Sequence, residues 1–101
     1  MTRIELAPEV FDDFDRVFDH ISELGAAADA SQRISDLISA LDILAHSPLI
    51  GRKVKGGSRE LIIGRSSRGY VALYRYLPDI DTVFVLALRS QREPDYKRGT
   101  W

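Results

Sequence analysis

The spacing of apolar residues changes halfway along the chain. At the start, "TRIEL" alternates, with Thr2, Ile4 and Leu6 on one side and Arg3 and Glu5 on the other, which predicts a short half-buried strand stopped by Pro8. Val10, Phe11, Phe14, Val17, Phe18, Ile21 and Leu24 then recur every three or four residues. That spacing predicts an amphipathic helix whose wet face carries Asp12, Asp13, Asp15, Arg16 and Asp19, with Gly25 suited to its end. A second helix is expected after "AAADAS", capped by Asp29 or Ser31 and closed by "HSP", with Ile34, Leu37, Ile38, Leu41, Leu44 and Ala45 as its apolar face. Beyond it "SPLIGRKVKGGS" reads as a loop, and the period becomes two. Three strand-like runs follow, "RELIIGR", "GYVALYRY" and "TVFVLALR", joined by tight turns at "SSRG" and "LPDID". The last run is apolar on both faces, which suits a central strand. The order β-α-α-β-β-β predicts an α+β fold, with the N-terminal strand and a helical hairpin packed on an antiparallel sheet. Residues 1–101 are read as a single domain.

Composition narrows the chemistry. The chain has no cysteine, which removes disulfides and thiolate catalysis and fits a reducing compartment. His20 and His46 have no Cys, His or acid at ligand spacing, so neither a metal nor any other cofactor is expected. The start has no apolar stretch of the kind that opens a signal peptide, and "VFVLAL" is too short to cross a bilayer; a cytoplasmic protein without a membrane partner is expected. The formal net charge of −1 hides an uneven distribution. Residues 1–50 carry three arginines against ten acids, and residues 51–101 carry eleven basic residues against five acids. An acidic half joined to a basic half points to an anionic partner for the latter.

The basic half holds the candidate site. Arg65, Arg68 and Arg75 lie in and beside strand-like runs, either as solvated edges of a sheet or as a surface for phosphate. Tyr70, Tyr74 and Tyr76 share one face, which suits core or groove packing and, alternatively, base stacking. Strict alternation after Leu61 and Ile63 would turn Arg65 into the core, where an unpaired guanidinium costs several kcal/mol. A bulge or strand end at Gly64 is therefore expected, leaving Arg65 on the open face of the sheet near Arg89.

The element order, "RELIIGRSSRGYVALYRY" and "VFVLALRSQREPDY" together resemble the RelE/ParE superfamily, the toxins of bacterial type II toxin–antitoxin modules. The resemblance covers nearly the whole chain and implies a cognate antitoxin as partner. It also implies one of two activities: ribosome-dependent mRNA cleavage without a metal, as in RelE-like members, or inhibition of DNA gyrase without nuclease action, as in ParE-like members. The first would use Lys53 or Lys55 as base, Arg65 and Arg89 to stabilise the phosphorane, and Tyr96 to orient the substrate. The second would grip its target through the basic half, with Arg65, Arg68, Arg89 and Arg92 as the contact residues. Many relatives carry His or Arg after the last strand; here Ser90 stands between Arg89 and Gln91, and serine is neither a useful base nor a cation. Ser90 and a pI near 6.1 favour gyrase, while Lys53, Lys55 and Tyr96 favour the ribonuclease. The balance leans to the non-nuclease. A module without toxicity and an unrelated α+β binding domain are the remaining alternatives.

Overall fold

Alternation in the first six residues and in the second half builds a five-stranded sheet, and the 3.6-residue spacing between them builds two helices that cover one of its faces. The computed structural model describes residues 1–23, 27–64 and 69–96, and the side chains among them outside 20–31. Strand β1 is Arg3–Leu6, followed by helices α1 (Val10–Glu23) and α2 (Ala27–Leu41) and strands β2 (Arg52–Lys53), β3 (Arg59–Ile63), β4 (Tyr70–Leu77) and β5 (Thr82–Ser90). The order across the sheet is β1-β5-β4-β3-β2. The fold is α+β as expected, with β5 an interior strand between β1 and β4 and β4 at the centre of the sheet. One pairing departs from the antiparallel expectation: β1 runs parallel to β5, with Arg3 opposite Thr82 and Leu6 opposite Val85. The loop expected at "GRKVKGG" also contains β2, paired with β3, and a 3-10 turn at Lys55–Gly57.

The core lies between the helices and one face of the sheet. Val10, Val17, Leu37, Leu41 and Leu44 meet Tyr70, Ala72, Tyr74, Val83, Val85 and Leu88 there. Each fully buried leucine contributes about 2 kcal/mol. The three tyrosines are core residues, since Tyr70 and Tyr74 are buried and Tyr76 packs partly buried beside them. Tyr74 also accepts the Gly51 N–H at 2.8 Å, and Arg59 donates to the carbonyls of Leu49 and Gly51, so the loop before β2 is pinned to the sheet.

Both helices depart from their expected faces. Phe11, Phe18 and Ile38, read as core, are 54%, 38% and 48% exposed. Leu44 and Ala45 lie in a 3-10 turn that follows α2, and α2 begins at Ala27, ahead of both proposed caps. Asp13, read as solvated, is 1% exposed. Val10, Asp13 and Val17 form one stripe at spacings of three and four, so the acid sits at a core position. Its role follows from the sheet. β1 stops opposite Val85, which leaves the last part of β5 with an open edge. Asp13 accepts the Leu88 N–H at 2.9 Å, and Arg16, held by Asp13 at 2.7 Å, donates to the Leu88 carbonyl at 3.1 Å. Side chains of α1 thus satisfy backbone groups that a sixth strand would otherwise satisfy.

Strand β3 ends at Ile63, and Gly64 has φ +81, a conformation that suits glycine. The expected strand end at Gly64 is therefore present. The register shift in the sheet lies elsewhere: Leu73 pairs with Ala87 and Tyr74 with Val85, which makes Leu86 the extra residue of a bulge in β5.

Candidate functional site

The face of the sheet opposite the helices is where strand alternation places the polar residues of β2, β3 and β5. Core packing of Leu61, Ile63, Ala72, Tyr74 and Leu88 sends Glu60, Ile62, Val71, Leu73, Ala87 and Arg89 to the face away from the helices, where Ile62 is exposed and Glu60, Val71, Leu73 and Ala87 are buried. The register orders them into rows. Arg52 lies opposite Glu60, Glu60 opposite Leu73 and Leu73 opposite Ala87; Ile62 lies opposite Val71 and Val71 opposite Arg89.

Glu60 is the hub of this face, although it is only 7% exposed. Its Oε1 accepts from Arg52 Nε at 3.0 Å and Nη2 at 2.8 Å, a forked contact that matches guanidinium to carboxylate. Its Oε2 accepts from the Tyr96 hydroxyl at 2.5 Å. The Arg89 guanidinium lies 5.3 Å from the centre of the Tyr96 ring and donates to the carbonyls of Glu93 at 2.9 Å and Ser90 at 3.3 Å. Residues 91–96 are thereby strapped across the sheet.

The electrostatics follow from these contacts. Burial pushes the Glu60 carboxyl up, but the Tyr96 hydroxyl, the Arg52 fork and the nearby charge of Arg89 outweigh it and leave the group below the usual carboxylate range. Burial and then the Glu60 carboxylate push the Tyr96 phenol well above the usual tyrosine range. At neutral pH the pair is a carboxylate receiving a phenolic proton. A second network holds the strap from the helix side: Glu93 Oε1 accepts from Arg16 at 3.1 Å and from the Ser90 N–H at 3.0 Å.

The structure brings two of the expected site residues, Arg89 and Tyr96, into contact. Lys53 and Lys55 are exposed, and among the described residues neither makes a hydrogen bond or ion pair with the cluster. Arg92 is exposed, with its backbone N–H on Ser90 Oγ at 3.3 Å. Arg65 and Arg68 lie outside the described residues. Arg75 is half-buried and donates to the Gly56 carbonyl, which makes it a loop anchor. Glu60 and Arg52 were not among the expected site residues. Their only trace in the sequence is an acid in an apolar strand run with an arginine eight residues before it, and that becomes informative only once β2 and β3 are in register.

The helices present a second feature. Phe18, Ile34, Ser35, Ile38 and Ser39 line an open groove between α1 and α2. Among the described residues no helix is long and apolar enough to cross a membrane.

A helical hairpin on a five-stranded sheet, with a basic C-terminal strand end folded over the open face, defines a class, and comparison places the chain within it. The sequence profile described as "ParE toxin of type II toxin-antitoxin system, parDE" matches residues 4–94. The chain belongs to this ParE toxin family. No curated relative matches the sequence at a significant level. Among solved structures, the fold is similar to the chromosomal ParDE toxin–antitoxin system from P. aeruginosa, with a TM-score of 0.75 and 19% identity over 89% of this chain and 96% of that one. It is also similar to the intact E. coli RelBE toxin–antitoxin complex, with a TM-score of 0.65 and 18% identity over 92% of this chain and all of that one (100%).

Proposed function

We propose that this protein is a growth-inhibiting toxin that acts on DNA gyrase, without nuclease action, and is neutralised by a cognate antitoxin. The observation that carries the non-nuclease reading is the Glu60 hub. Both carboxylate oxygens and the Tyr96 hydroxyl are committed to one another and to Arg52, and the cations nearest them already face a carboxylate, carbonyl oxygens or a ring. A ribonuclease needs a base and uncompensated cations gathered around the scissile phosphate, and Lys53 and Lys55, the expected bases, make no hydrogen bond or ion pair with this cluster among the described residues. The match to the ParE family, and the ParDE system among the similar folds, support the same direction.

The antitoxin reading is supported by the helical groove. An apolar channel flanked by half-exposed Phe18 and Ile38 suits an amphipathic helix with Leu or Ile anchors. The acids along α1 would meet basic residues of that helix.

Induction of the chain in bacteria tests the proposal. The expected outcome is filamentation with a DNA-damage response, and inhibition of gyrase supercoiling by the purified protein. Rapid loss of mRNA integrity with gyrase unaffected would establish the RelE-like alternative instead. Unimpaired growth would reject both.

A further inference from the structure

We propose that Glu60 is a specificity-determining residue: a built-in anion that occupies the Arg52–Arg89–Tyr96 cluster and so excludes nucleic-acid phosphate from the open face of the sheet. The inference goes beyond the assignment of gyrase as target, because it concerns what this face rejects.

The geometry around Glu60 is that of an anion site. A forked guanidinium reaches it at 2.8 and 3.0 Å, a hydroxyl donates to it at 2.5 Å, and a second guanidinium lies over the ring of that same tyrosine. Those donor types would serve phosphate equally well. Their oxygen acceptor is instead supplied from within the chain, on a strand whose backbone is fixed by pairing on both sides. Along the same row Leu73 and Ala87 are buried and apolar, so among the described residues this row offers no further cation to compensate an incoming phosphate. A polyanion approaching this face meets a carboxylate fixed where its own oxygens would have to sit. Like charges in a partly buried site repel far more strongly than in bulk water.

Replacing only the charge tests the idea. Glu60→Gln keeps the shape and an acceptor oxygen for Arg52, and circular dichroism reports whether the variant is folded. Binding of a fluorescent single-stranded RNA of roughly ten nucleotides is followed by anisotropy across a salt series. Folded E60Q should bind about tenfold more tightly than wild type at low salt, with a log–log salt slope steeper by about two phosphate contacts. Asp79→Asn, which makes the same change in net charge in the exposed β4–β5 turn, should change binding less than about twofold. Equal gains in the two variants, or no gain in folded E60Q, overturn the proposal. If E60Q does not fold, the wild type decides. Its Arg52 and Arg89 Nε–H resonances should stay in place as RNA is added, and displacement of either overturns the proposal. The outcome is separate from the supercoiling assay, which can fail while this test succeeds.

Discussion

At Gly51 a single missing side chain lets a loop close against the core. A Cβ there would lie 2.7 Å from the Tyr74 ring and hydroxyl and 2.8 Å from the Glu60 carbonyl, and all three atoms belong to the core or the sheet backbone. Gly51→Ala should therefore cost about 1–3 kcal/mol in urea unfolding. Tyr74→Phe should cost about 1–3 kcal/mol by leaving the buried Gly51 N–H without its acceptor. The Glu60–Tyr96 pair has consequences in both directions of pH. Glu60 titrates below its ordinary 4.5 in the fold, so its contribution is complete above that value and is lost as pH falls through the folded pKa. Tyr96 titrates above its ordinary 10.0, so its contribution is complete below that value and is lost as pH rises beyond it. Wild type should accordingly lose thermal stability at the acid and alkaline ends, and Tyr96→Phe should show a smaller alkaline component, the remainder coming from Tyr74 and Tyr76, which also titrate above the ordinary tyrosine value. Melting curves from pH 3 to 11 check both. Alternation alone did not reveal this pair, because its members are 36 residues apart and meet only when the strap crosses the sheet.

Among the elements, α1 does two things at once. Val10 and Val17 on it fill the core, while Asp13 and Arg16 satisfy the end of β5 where β1 stops short. Removing Asp13 leaves the Leu88 N–H unpaired and deprives Arg16 of a close partner. Asp13→Ala should cost about 3–5 kcal/mol, and replacing Asp13 and Arg16 together should cost less than the sum of the single changes in a double-mutant cycle. The elements themselves were legible, since strict alternation in "TRIEL" and "GYVALYRY" and a three-to-four spacing from Val10 admit few other assignments. The wet face of α1 departs from its pattern for a reason of the same kind. Spacing puts Asp13 in the buried stripe, but its carboxylate looks solvated until its partner, 75 residues away, is known. Phe18 departs the other way because it lines the exposed groove between the helices, and Phe11 lies exposed with its ring against Phe14. The two-residue β2 carries too little pattern to be seen at all.

Over the whole molecule, acids outnumber bases in the first half of the chain, which holds the helices, and bases outnumber acids in the second half, which supplies four of the five strands. The groove on the helix side is separable from stability because its rim is half-exposed. Ile38→Glu should leave the melting temperature within a few degrees while abolishing neutralisation by a co-expressed antitoxin, and a matching loss of thermal stability would instead mark Ile38 as structural. The parallel pairing of β1 with β5 has a further consequence for synthesis. Among the described residues β1 finds its sheet neighbour in β5, and Thr2 and Asp81, which bond side chain to side chain at 2.7 Å, are 79 residues apart. A chain emerging N-terminus first thus carries β1 without this partner until β5 has been made. Stalled nascent chains that end before Thr82 should be digested readily by protease, and chains extended past Ser90 should resist it. The sheet is therefore complete only once β5 has left the ribosome, so any partner that recognises the whole sheet meets it no earlier than that.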